Sequence, residues 1–147
     1  MKTKRDDTAK LYDEIYKNAA MGAGTTKHLL ETERGEEMTD SLKKQYAEYR
    51  SICRNAEISM RARGGEIKGY GRMKKMMTDR GVSLNLLFDN SDRHVAEMLM
   101  NGSTMGVINA EKSTGKYSGA EKEAKELMKH LSDFELSTIE NMRRFLS

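Results

Sequence analysis

The sequence predicts an all-α protein, an antiparallel four-helix bundle forming a single domain over residues 1–147, and three observations predict it. The 147 residues include no proline, where average usage of ~5% would supply about seven. Proline breaks helix interiors and favours tight turns, so its absence suits a few long helices. Only 6% of the residues are aromatic, and strands favour aromatics. Apolar residues recur at spacings of three and four over long stretches, which places them on one face of a helix.

The first helix is expected over about 9–34. Leu11, Ile15, Ala19, Gly22, Thr26 and Leu29 form its stripe, and Gly35 stands where a stop is needed. The second helix is expected over 39–63, capped by Thr39 or Asp40 and ended by Gly64 and Gly65. Its stripe is Leu42, Tyr46, Tyr49, Cys53, Ala56 and Met60. The short joint between the two makes a helical hairpin.

A long connection follows, over residues 64–82. Gly64, Gly65, Gly69 and Gly71 predict an extended, mobile first half, and a short basic helix over about 72–80 carries Met73, Met76 and Met77. The third helix is expected over 83–116 from a Ser83 cap, continuous through Asp89–Asp92, with Leu84, Phe88, Ser91, Val95, Met98, Gly102, Met105 and Asn109 as its stripe. The fourth is expected over 118–146. Ser118 and Glu121 have the spacing of a capping box, and Ala120, Ala124, Leu127, Leu131, Phe134, Thr138, Asn141 and Phe145 continue the stripe. A partly extended linker of this length can span a helix of ~25 residues, so helices 2 and 3 are expected to run parallel, joined by a crossover.

Composition narrows the function classes. A net charge of +3 is too small to argue for nucleic acid. The lone Cys53 can form no internal disulfide, which suits a reducing cytoplasm. Met1–Lys10 is charged with no apolar run behind it, so an ordinary signal peptide is not expected. No stretch approaches the ~18 apolar residues of a membrane span.

The two hairpins, the long middle connection and the run His94-Val95-Ala96-Glu97-Met98 leading into Gly102-Ser103-Thr104-Met105-Gly106 resemble the ferritin-like group of four-helix bundles, specifically small bacterial members of it. The resemblance implies a ferritin-like fold and raises iron or manganese as a cofactor. Catalytic members hold two metals with carboxylates and two Glu-x-x-His motifs. Here Thr25, Ser91 and Leu127 stand three before His28, His94 and His130, so the motif is absent, which argues against oxidase or iron-storage activity.

Three features invite a functional reading. Glu14, Glu57, His94, Glu97, His130 and Glu135 are candidate metal ligands, since carboxylate and imidazole together suit iron, manganese or zinc. The bland alternative is a set of boundary residues with solvated tips, and it is preferred. Met21–Thr26 and Gly102–Gly106 are small-residue patches within helices. They read either as a ligand cavity or as close helix packing with methionines filling gaps, and close packing is preferred. Residues 61–80 carry seven basic against two acidic side chains. They could meet anionic lipid or nucleic acid, but without Trp or Phe anchors a solvated lid is preferred. Cys53 on a core stripe is expected to act as a small apolar residue.

With no catalytic motif, the expectation is a non-enzymatic bundle acting through protein association. Twelve methionines suit adaptable apolar surfaces, and self-association as a homodimer or larger homo-oligomer is expected. No cofactor is expected on this reading. The alternatives are a divergent ferritin-like metal carboxylate protein and an anionic-surface-binding module using residues 61–80.

Overall fold

The computed structural model describes residues 4–71 and 91–147. These residues form four long helices and no strand: α1 (Lys4–Leu30), α2 (Glu36–Ala62), α3 (Asp92–Lys116) and α4 (Lys122–Met142), closed by a single 3₁₀ turn, Arg143–Phe145. The expected short helix with Met73, Met76 and Met77, and the Ser83 cap with Leu84 and Phe88, lie outside the described residues.

The helix ends fall elsewhere than the sequence suggested, for identifiable reasons. α1 stops at Leu30 rather than at Arg34, and the Arg34 Nε–H donates back to the Leu29 carbonyl at 3.1 Å. Gly35 is the N-cap of α2, not the stop of α1. α2 starts at Glu36, not at Thr39 or Asp40, with Glu36 and Glu37 in its first turn. Acidic side chains there complement the free amides and the positive end of the helix dipole. Gly64 and Gly65 do end α2. The Gly64 N–H donates to the Arg61 carbonyl and the Gly65 N–H to the Met60 carbonyl, both at 2.9 Å. That reversed pair of bonds needs a left-handed residue, and Gly64 at φ 81° supplies it without a Cβ penalty.

The expected continuous run through Asp89–Asp92 is interrupted at Ser91, and Asp89 and Asn90 lie outside the described residues. Ser91 is extended (φ −67°, ψ 155°), and its side chain accepts from the His94 N–H at 3.2 Å, so the helix begins at Asp92. The expected Ser118 capping box is also replaced. Ser118 lies in a turn, and α4 starts after Glu121. The free amides of this turn are met by α1 instead: Thr8 Oγ1 accepts from Glu121 N–H at 2.8 Å, and Asp7 Oδ2 from Gly119 N–H at 2.9 Å.

α1 packs along α2 and α3 along α4, and the two pairs meet chiefly through α1 and α4, more thinly between α1 and α3. The core divides into two apolar clusters. The larger joins Leu11, Ile15, Tyr16 and Ala19 to Cys53, Ala56 and Met60, and to Ala110, Ala124, Met128 and Leu131. The smaller joins Leu29, Met38, Leu42, Val95, Ala96, Leu99 and Met142. Between them each helix contributes buried polar residues: Thr26 from α1, Gln45 from α2, Ser103 from α3, and Glu135 and Thr138 from α4. Full burial of a Leu or Ile contributes ~1.5–3 kcal/mol, and this middle layer forgoes that gain.

The stripe expected for α1 is the buried one, except that Gly22 is half-buried. That of α3 is shifted. Its buried residues are Val95, Ala96, Leu99, Ser103, Ala110 and Ser113, whereas Gly102, Met105 and Asn109 are exposed.

The first part of the connection is docked rather than extended and loose. Ile67 is buried in the larger cluster, the Lys68 N–H donates to Asp13 Oδ1 at 2.8 Å, and the Tyr70 ring meets Tyr16 at 5.7 Å.

Candidate functional site

The thin α1–α3 seam opens into a cavity of about 400 Å³ at the level of the polar layer. One wall comes from α1, with Asn18, Met21, Gly22, Thr25 and Thr26. The other comes from α3, with Met98, Leu99, Gly102, Ser103, Met105, Gly106 and Asn109. Tyr49 of α2 and Glu135 of α4 close the floor.

The floor is a buried hydrogen-bonded group. Tyr49 is 5% exposed and Glu135 4%. The Tyr49 hydroxyl donates to Glu135 Oε1 at 2.6 Å, and the Ser103 hydroxyl sits against both. The Phe134 ring meets the Tyr49 ring edge-on at 5.0 Å and fixes its orientation. Burial pushes the Glu135 carboxyl above the usual carboxylate range, against the opposing pull of its Tyr49 and Ser103 hydrogen bonds. Burial, with the Glu135 charge beside it, drives the Tyr49 phenol well above its ordinary value. A buried charge is costly without a counter-ion, and among the described residues no Lys, Arg or His lines the cavity.

Glycines make this arrangement fit. A Cβ on Gly22 would clash with the Tyr49 ring, and a Cβ on Gly106 would lie 2.8 Å from Glu135 Oε2 and 2.9 Å from its Cδ. At these two positions the small-residue patches serve close approach, as the sequence suggested. Gly102 differs, because none of the described residues lies within 4 Å of a Cβ added there. It faces the open side of the cavity, so the expected close contact does not hold at that residue. The same patches therefore do both jobs, seating Tyr49 and Glu135 and leaving space above them. Thr26 bonds back to the Gly22 carbonyl at 2.9 Å, which keeps its hydroxyl satisfied in the wall. Asn18 is less complete, since its Nδ2 is buried with no hydrogen-bond partner among the described residues.

Of the six candidate ligands, only Glu135 reaches this floor. His130 is on the surface and bonds through Nε2 to Glu48 Oε2 at 2.8 Å. Glu97 pairs with Arg93 at 3.7 Å and Glu57 with Arg61 at 4.0 Å, each along its own helix. His94 is half-buried in the first turn of α3, and Glu14 borders a separate surface depression beside Lys10, Lys17 and Lys68. Among the described residues no three His, Cys, Asp or Glu side chains converge as a metal-binding group. Cys53 is buried, and burial, with the nearby Glu57 charge, pushes its thiol up to about 12, which suits an inert core residue.

Sequence reasoning placed Tyr49 on a core stripe and missed its role as partner of Glu135, 86 residues away. The available signal was a row of polar residues interrupting otherwise apolar stripes: Thr26, Tyr49, Glu135 and Thr138.

No family model matches the chain, and no match is found among curated proteins or solved structures. Its described residues are those of a small all-helical protein with four long helices. Among the described residues no helix is long and apolar enough to cross a membrane.

Proposed function

We propose that the protein is a small-molecule-binding helical bundle whose site is the cavity over Glu135. One observation carries this reading: a buried carboxyl, fixed by Tyr49, forms the floor of a cavity of about 400 Å³ walled by methionines and small residues. Small-molecule sites span ~300–1,000 Å³ and pair a mostly apolar lining with a few fixed polar groups. A polar layer kept only for structure would be closed by packing, because empty space beside it forfeits dispersion contacts. The test is a fragment screen read by shifts of backbone amide resonances, run on the wild type and on Gly102→Leu. The leucine enters the open side of the cavity, since none of the described residues opposes a side chain there. Fragments that shift Gly22, Ser103 and Gly106 in the wild type should lose affinity in Gly102→Leu. Hits confined to other surfaces would reject the reading.

A second reading, self-association, is favoured by the rim. Met21 and Met105 are 48% and 57% exposed on either side of the opening, and Ile108 is 41% exposed on the same helix as Met105. Sedimentation velocity on the wild type and on Met21→Lys/Met105→Lys tests it. A dimer that dissociates in the variant supports it, and a wild-type monomer at high concentration rejects it.

The finer fold reading is an antiparallel, ferritin-like bundle with a crossover between α2 and α3. Paired contacts support it in the first hairpin: Cys53 lies against the Tyr16 carbonyl and Tyr49 against Gly22, so the residue numbers run in opposite senses. A crossover is supported by the shared apolar cluster of Met38 and Leu42, near the start of α2, with Val95 and Leu99, near the start of α3. The iron or manganese alternative keeps Glu135 as a buried carboxylate, but its other five candidates lie apart, so an organic ligand fits the geometry better.

A further inference from the structure

We infer that the cavity takes an amphipathic organic monocation, its ammonium group on Glu135 and its apolar body along Met21, Met98, Leu99 and Met105. This rests on the ligand-pocket reading and adds the chemical class of the ligand.

The lining is lopsided in charge. Among the described residues its titratable groups are Glu135 and Tyr49, and no basic side chain contributes to it. A carboxylate or phosphate ligand would enter without a counter-ion and face the Glu135 charge. A cation would supply the counter-ion that Glu135 lacks. Glu135 Oε1 is occupied by the Tyr49 hydroxyl at 2.6 Å. Oε2 packs against the Gly106 backbone, and the Ser103 hydroxyl bonds to the same carboxyl. Glu135 nonetheless lines the cavity, and a carboxylate offers about four lone-pair sites, so it can still accept from a ligand N–H. Hydrogen bonds between ionised partners are about twice as strong as neutral ones.

The rest of the lining suits the body of such a ligand. Thioether side chains are polarizable and adapt to irregular apolar or aromatic shapes. Asn18 lies one helical turn before Gly22 on α1, and its Nδ2, which has no hydrogen-bond partner among the described residues, asks for an acceptor oxygen. An ether or hydroxyl oxygen partway along the ligand would satisfy it.

The test uses three probes that share one skeleton: 2-phenoxyethylamine, 2-phenoxyethanol and phenoxyacetate. Each carries the phenyl group and the ether oxygen, and only the head changes from cation to neutral to anion. Titration calorimetry at neutral pH and low salt should rank the amine first. Its lead over the alcohol should be roughly tenfold or more, as expected of a hydrogen bond to a charged group. Phenoxyacetate should be the weakest. Glu135→Gln keeps an acceptor for Tyr49 and should bring the amine level with the alcohol, while Gly102→Leu should weaken all three. Equal or tighter binding of the alcohol or the anion in the wild type overturns the ligand class and leaves the pocket reading standing. Failure of all three to bind, in a wild-type protein whose amide spectrum is folded, overturns both.

Discussion

Two alanine substitutions in one helix test the site at atomic level. Glycine within a helix costs ~1 kcal/mol relative to alanine, so each replacement should stabilise α3 unless something occupies the space. At Gly102 none of the described residues lies within 4 Å of the new Cβ, and the full gain of ~1 kcal/mol is expected. At Gly106 the new Cβ meets Glu135 Oε2 at 2.8 Å and Cδ at 2.9 Å. A carboxylate at the end of a flexible chain could step aside, but this one is held at 2.6 Å by Tyr49 in a buried layer. Overpacking of this kind costs ~1–3 kcal/mol. The helix gain offsets part of that, and Gly106→Ala should be less stable than Gly102→Ala by ~1–3 kcal/mol. Urea unfolding monitored by circular dichroism measures both, and an unchanged denaturant slope shows that the comparison is sound. In a Glu135→Ala background the obstacle is gone, and Gly106→Ala should then stabilise as Gly102→Ala does. Equal stabilisation by the two alanines in the wild-type background would refute the placement of Glu135.

Three further perturbations follow from the same geometry. Gly22→Ala pushes a methyl group into a ring that Phe134 and Glu135 hold in place, so it should cost ~1–3 kcal/mol or more despite the better helix former, measured by the same unfolding assay. Glu135→Gln should change the pH dependence of stability. The folded carboxyl is raised by burial, so its contribution is fully present below the unfolded carboxylate range and is lost as pH rises through the folded value. Glu135→Gln should therefore gain on the wild type as pH rises, and a difference that stays flat with pH would count against the burial argument. Thr8→Ala removes the oxygen that accepts from the Glu121 N–H at the start of α4. It should destabilise by ~1–2 kcal/mol, as loss of a helix cap does, with faster amide exchange at Glu121 as the local signature.

The helical class, the α1 stripe and the Gly64–Gly65 stop were legible because each is written locally. A period of 3.6 and a left-handed glycine need no distant partner. The α3 stripe was misread because its buried residues, Ala96, Ser103, Ala110 and Ser113, are small or polar and carry little apolar signal. The methionines and glycines beside them look more like a core and instead border the cavity. The start of α4 was misread because its free amides are met by Asp7 and Thr8, more than a hundred residues away. Glu135 could be named from sequence as a candidate ligand. Its burial and its bond to Tyr49 depend on how two helices from different hairpins meet, and no local pattern encodes that.

The most direct test of the central claim is methyl resonance mapping with ¹³Cε-methionine while 2-phenoxyethylamine is added. Met21, Met98 and Met105 line the cavity, whereas Met38 and Met142 are sealed in the smaller apolar cluster and Met128 in the larger. A ligand seated over Glu135 should shift the first three in one saturable transition and leave the other three nearly unmoved, and Gly102→Leu should weaken that transition. Saturable shifts centred on Met38, Met128 or Met142, or no saturable shift at any of the six, would contradict the account.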